Sequence, residues 1–141
     1  MGGRVRLKNA MEGIRYITAL HPPPKAAVVF DVDGTLLDND QKLITGTAVL
    51  YWKAQSLGIK PFIVTARPYS ERNMRYTIDT LKRHGITGFA GIYMYLDMSY
   101  NVFDFKEKCR QSIHNLGYNV ILSVGDSACD IGRYGGAELL V

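Results

Sequence analysis

The sequence predicts an α/β protein built as a parallel five-stranded sheet with helices on both faces, three layers in all, and no inserted second domain. Three observations predict it. Five short apolar runs, Ala26–Phe30, Lys60–Val64, Gly91–Leu96, Val120–Val124 and Glu138–Val141, are continuous rather than alternating, the pattern of strands covered on both faces. The helical stretches between them end in Gly58, Gly85 and Gly117, where a helix C-terminus favours a left-handed residue, and each glycine leads into the next run. Polar residues follow the runs directly, at the strand ends where open parallel sheets bind ligands.

The elements follow in chain order. From Val5 to Leu20 the apolar residues Leu7, Met11, Ile14 and Ile17 recur at a helical period, and the prolines of "HPPPK" stop that helix. Residues 1–24 are therefore expected to be an N-terminal helix and proline linker, and residues 25–141 a single domain, the amount of chain that one core accommodates. A helix is expected around Thr45 to Leu57. A second runs through "PYSERNMRYTIDTLKRHG", with Pro68 at its first position, and a third carries Lys106 ahead of the fourth strand. Tyr51 and Trp52 are assigned to the core face of their helix, and Tyr93, Tyr95 and Tyr100 to packing.

Composition narrows the setting. No apolar run approaches the 18 or more residues of a membrane span, and Glu12 and Arg15 interrupt any apolar stretch of an N-terminal signal, so a cytoplasmic protein without membrane contact is expected. Cys109 and Cys129 have neither zinc-ligand nor disulfide-framework spacing and fit a reducing interior. The net charge of +4 is dispersed along the chain and suits an anionic small substrate as well as a polyanion.

The strand-end residues carry the chemistry. They are Asp31 and Asp33 after the first run, Thr65 after the second, Asp97 after the third, and Asp126 with Asp130 after the fourth. Alternation in "FDVDGT" sends Asp31 and Asp33 to one side with Val32 opposite, and two like charges so placed need a counterion. With Asp126 the cluster is a hard, oxygen-rich site of the kind Mg²⁺ prefers. Lys106 adds positive charge, Gly34 leaves room for close approach, and Thr65 offers a hydroxyl to a phosphoryl oxygen. An isolated Asp-Gly pair would read as a turn, but an apolar strand running into DxDGT is far more constrained.

These residues resemble the haloacid dehalogenase (HAD) superfamily. "VVFDVDGTLL", "FIVTAR", "FDFKEKCR" and "ILSVGDSACD" look like its four motifs in order, and the stretch from Lys106 to Asp130 is similar to the acid phosphatase branch, with Lys108 as a fallback for the lysine. The resemblance implies a Rossmann-like, capless, Mg²⁺-dependent phosphatase acting through an aspartyl-phosphate. Asp31 would be the nucleophile and Asp33 the acid and base. Asp31, the Asp33 main-chain carbonyl and Asp126 would hold the metal, with Asp130 acting directly or through water. Thr65, Lys106 and amides near Gly34 would hold the phosphoryl group. The segments from Asp31 to Thr65 and from Thr65 to Lys106 are filled by the expected elements, leaving no room for a cap. The open pocket that results suits a phosphorylated small molecule, an exposed phosphate on a macromolecule, or a homo-oligomer supplying the missing wall.

Arg67 and Tyr69 stand near the entrance, Arg67 either touching substrate or making a surface ion pair. A receiver domain is excluded because the fourth run ends in Gly125-Asp126 rather than Ser or Thr. A nucleic-acid end phosphatase is possible but lacks the basic, aromatic-studded stripe of nucleic-acid grooves. A non-catalytic binding protein on the same fold is the remaining alternative.

Overall fold

The computed structural model describes residues 4–96 and 99–141; Asp97, expected after the third run, lies outside them. Six parallel strands form one sheet in the order β1-β6-β5-β2-β3-β4, with β1 Arg6–Leu7, β2 Ala26–Phe30, β3 Lys60–Pro68, β4 Gly91–Tyr95, β5 Asn119–Gly125 and β6 Ala137–Leu140. The helices are α1 Ala10–Ala19, α2 Thr45–Ser56, α3 Glu71–Arg83 and α4 Val102–Asn115, and a 3-10 turn spans Ala128–Asp130.

β2 lies between β3 and β5, and alternate residues on it feed opposite cores. Val28 and Phe30 pack with Ile17 of α1, Leu50, Tyr51 and Ala54 of α2, and Leu81 of α3. Ala27 and Val29 pack with Phe62, Val64 and the Phe105, Cys109 and Ile113 face of α4. A strand apolar on both sides thus reads as a continuous run. The chain winds outward from β2 through β3 to β4, then crosses to β5 on the other side of β2. The order therefore reverses at β2, and the crevice beyond its carboxyl end is where such sheets take ligands.

The sequence reading is corrected at four places. The sheet has six strands, because Arg6–Leu7 extends it by pairing with Glu138–Leu139. The first helix therefore starts at Ala10 rather than Val5, with Asn9 as its cap accepting from the Glu12 amide. The buried Glu138 draws both arginines of this segment, its Oε1 lying 3.0 Å from Arg4 Nη2 and 3.4 Å from Arg6 Nε. Pro68 ends β3 instead of opening α3, and Ser70 caps that helix through the Asn73 amide. Tyr51 is in the core, but Trp52 is exposed, its Nε1 donating to Gly85 O at 2.9 Å. Gly58, Gly85 and Gly117 all take positive φ after their helices, as expected.

Leu50 is fully buried between α1, α2 and the sheet. Leu50→Ala should lower the unfolding free energy by about 2–5 kcal/mol, measured by urea denaturation. A loss well under 1 kcal/mol would contradict this packing.

Candidate active site

The strand-end residues converge at the crevice, and the backbone brings them there. The Asp31 amide donates to Val124 O at 3.0 Å, which ties the residue after β2 to the end of β5. Asp31, Asp126 and Asp130 each place a carboxylate oxygen so that all three lie within 4.8 Å of one another. Lys106, in the first turns of α4, sends its ammonium between them, 3.0 Å from Asp31 Oδ1 and 2.5 Å from Asp130 Oδ1. All three partners are secluded, with exposures of 7% for Asp31, 3% for Lys106 and 5% for Asp130. Burial pushes the Asp31 carboxyl up to about 7 against the pull of Lys106, and the two facing carboxylates raise the Lys106 ammonium above its ordinary value against its own burial.

Asp130 has two duties. Its Oδ2 accepts the amides of Asp126 and Ser127, both at 3.1 Å, while Oδ1 meets Lys106. This is possible because Gly125 has no side chain: a Cβ there would lie 2.1 Å from the Asp130 Cβ. Gly34 serves Asp126 the same way, since a Cβ at Gly34, where φ is +76°, would fall 2.1 Å from Asp126 Oδ2. The Gly34 amide itself donates to Leu37 O at 2.8 Å, so the glycine contributes space. Thr65 is buried in the wall, its hydroxyl oxygen accepting from the Arg67 amide at 3.2 Å. Lys108 points elsewhere, its ammonium 4.9 Å from the centre of the Tyr100 ring, so Lys106 is the lysine of the cluster.

Asp33 differs from its neighbour. Its side chain is 53% exposed and is gripped by Arg67, with Nε 2.9 Å from Oδ2 and Nη2 2.8 Å from Oδ1. Arg67 also donates to Thr77 Oγ1 of α3 at 3.0 Å and to Gln41 Oε1 at 2.8 Å. The guanidinium holds the Asp33 carboxyl below its ordinary 3.8.

Sequence reasoning left Arg67 open between substrate and surface ion pair. The structure makes it the resting partner of Asp33 inside the site, for which the sequence carries one signal, its position two residues past Thr65 on the same strand. Arg110, buried one turn beyond Lys106, was not singled out at all. Tyr93, Tyr95 and Tyr100 pack against the α4 core, as expected, and the Tyr95 hydroxyl donates to Tyr100 O.

Asp31, Asp33, Thr65, Arg67, Lys106 and Asp126 line one cavity of about 340 Å³, with Val102, Ser127 and Cys129 on its rim. Larger concavities of 570 and 450 Å³ lie along α3 and hold none of the strand-end residues. The donor set fits a hard divalent cation. Every candidate ligand is an oxygen, and three carboxylates facing one ammonium leave an excess of negative charge toward the cavity.

The switch-point strand thus runs into DxDGT, which faces a lysine and two further aspartates across one crevice. The family model described as HAD superfamily, subfamily IIIB (Acid phosphatase) matches residues 39–138, so the chain belongs to that family of phosphatases. The match contains Thr65, Lys106, Asp126 and Asp130, and begins just after the Asp31–Asp33 pair. No curated protein sequence matches the chain. Among the described residues there is no cap, and no helix is long and apolar enough to cross a membrane.

The Asp33–Arg67 pair generates a pH prediction. A carboxyl held below its unfolded value adds stability that is present above that value and lost as pH falls through the folded one. The melting-temperature advantage of the parent over Asp33→Asn should therefore be largest near neutral pH and shrink below about pH 4. Because the pair is half exposed, it should correspond to no more than about 1 kcal/mol. An advantage that grows on acidification would contradict the ionised pair.

Proposed function

We propose that the protein is a Mg²⁺-dependent phosphomonoester hydrolase that works through an aspartyl-phosphate on Asp31. The observation that carries this reading is the lodging of Lys106 between Asp31 and Asp130 beside Asp126, a convergence of opposite charges at the one crevice where this sheet topology takes ligands. Asp31, the main-chain carbonyl of Asp33 and Asp126 would hold the metal, with Asp130 behind them directly or through water. Mg²⁺ would supply charge neutralisation and polarisation of a phosphoryl oxygen.

Asp31 is the nucleophile. Its Oδ1 is held by Lys106, while Oδ2 has only a long 3.5 Å contact from Thr35 Oγ1, which leaves it the freer oxygen. A carboxylate nearing a phosphate oxygen meets repulsion of about 4 kcal/mol per charge pair at 4 Å and an effective dielectric near 20. Lys106 offsets part of that, and the Thr65 hydroxyl donates to a phosphoryl oxygen. As the Asp31 oxygen bonds to phosphorus, the ester bond breaks and the leaving oxygen takes a proton from Asp33. In the second step Asp33, now a carboxylate, removes a proton from water, whose oxygen displaces Asp31 and releases phosphate.

The Arg67 grip matches the second step, which needs Asp33 ionised, and it must loosen for the first. The guanidinium can move onto the substrate's phosphate, because it already reaches into the same cavity. A capless, shallow site admits phosphorylated metabolites and phosphate groups exposed on larger molecules alike. A panel of phosphorylated metabolites, phosphopeptides and 3′-phosphorylated oligonucleotides would rank them.

The test is p-nitrophenyl phosphate hydrolysis with Mg²⁺ and with chelator. The parent should hydrolyse it only with metal, and Asp31→Asn should lose roughly 10³-fold or more in kcat. Activity in chelator, or an unimpaired Asp31→Asn enzyme, would overturn the reading.

A further inference from the structure

Arg110 is the largest fully buried side chain among the described residues, 1% exposed, yet none of its hydrogen bonds goes to a carboxylate. Nε donates to Arg133 O at 2.9 Å, Nη1 to Cys129 O at 2.9 Å and Nη2 to Ile131 O at 3.1 Å. Burial lowers its affinity for the proton, though arginine stays charged in proteins. A buried cation is expensive to place, and removing this one would leave three main-chain carbonyls without their donor. The guanidinium and the segment it clasps therefore depend on each other.

The three carbonyls belong to the irregular segment between β5 and β6. That segment's only regular piece is the 3-10 turn, and it carries Asp126 at its start and Asp130 within the turn. Inside it the main-chain bonds are few: Asp130 N to Ser127 O at 3.0 Å, Ile131 N to Ala128 O at 3.4 Å and Gly135 N to Gly132 O at 3.0 Å. Asp130 clamps the front of the segment through the Asp126 and Ser127 amides, and Arg110 clamps the back. Arg110 follows Lys106 by four residues on α4, so both project from one helix face. A rigid helix thus holds the segment twice, through the ammonium on the Asp130 side chain and through the guanidinium on the main chain around it.

We propose that Arg110 is a positioning residue of the active site, setting the depth at which the loop presents Asp126 and Asp130 to the metal and to Lys106. The proposal rests on the functional reading above. Its support is the three-carbonyl clasp by a secluded cation on the helix that also supplies the phosphate-binding lysine. Four charged groups are then buried together, Asp31 and Asp130 with Lys106 and Arg110, and their formal charges cancel. Asp126, which is exposed, is left to face the cavity uncompensated.

The test compares the full-length parent with Arg110→Gln and Arg110→Lys. Mg²⁺ is titrated into each by calorimetry without substrate, and p-nitrophenyl phosphate kinetics are run at saturating Mg²⁺. A partner that orients metal ligands is worth about 10- to 100-fold in metal affinity or activity, so Arg110→Gln should bind Mg²⁺ at least tenfold more weakly and lose at least tenfold in kcat, with KM within about threefold. Arg110→Lys keeps the charge and one carbonyl contact and should recover part of both.

A residue that only supports the fold would lower the melting temperature and leave the folded fraction's Mg²⁺ affinity and kcat unchanged. Folded variants within about twofold of the parent in both quantities, or variants that both fail to fold, would overturn the proposal. A parent that neither binds Mg²⁺ nor turns over substrate would instead defeat the functional reading, and the proposal with it.

Discussion

The interaction on which the rest depends is the buried ammonium of Lys106 between Asp31 and Asp130. Taking three charges out of water costs several kcal/mol per ion, and a buried ion pair seldom returns more than it consumes. Its value lies in geometry. Asp31 comes from the end of β2, Asp130 from the turn after β5 and Lys106 from α4, so the two contacts tie three separate elements to one another. The two glycines beside the cluster obey the same constraint, since Gly125 yields its side-chain space to Asp130 and Gly34 to Asp126.

The two aspartates of the DxDGT segment are alternate residues on one side of the chain, yet their environments are opposite. Asp31 is secluded, with burial holding its carboxyl high, whereas Asp33 is half exposed, with Arg67 holding its carboxyl low. Divergent environments let paired carboxylates take different roles. Arg67 also connects the site outward to Thr77 on α3 and to Gln41 in the loop before α2. The His84 ring in turn meets Gln41 O at 2.9 Å, so the second aspartate is linked to the middle of α3 and to its C-terminal cap.

The features legible in the sequence were those with a local cause. β2 and β5 announced themselves because strands buried on both faces are apolar throughout, and the helix ends because left-handed backbone favours glycine. The strand-end aspartates were legible because a charged residue directly after such a run has little other reason to be there. What escaped was non-local or too short. Arg6–Leu7 is two residues long and lies within a helical period that Met11, Ile14 and Ile17 continue, so no pattern separates it. Pro68 was misassigned because proline suits the start of a helix as well as the last residue of an edge-adjacent strand. Trp52 has the size of a core residue, but its indole finds Gly85 O at the surface. Arg67 and Arg110 are ordinary arginines until the fold brings Asp33 to one and a loop of carbonyls to the other.

Transfer of the phosphoryl group to Asp31 is the event that all of this charge organisation would serve. The direct measurement is acid quenching of the Mg²⁺-loaded protein during turnover of p-nitrophenyl phosphate, followed by mass spectrometry of its peptides. A phosphoryl increment on the peptide containing Asp31, absent from Asp31→Asn, is the expected result. An increment on a different side chain, or turnover at full rate with no phosphorylated peptide at any quench time, would contradict it.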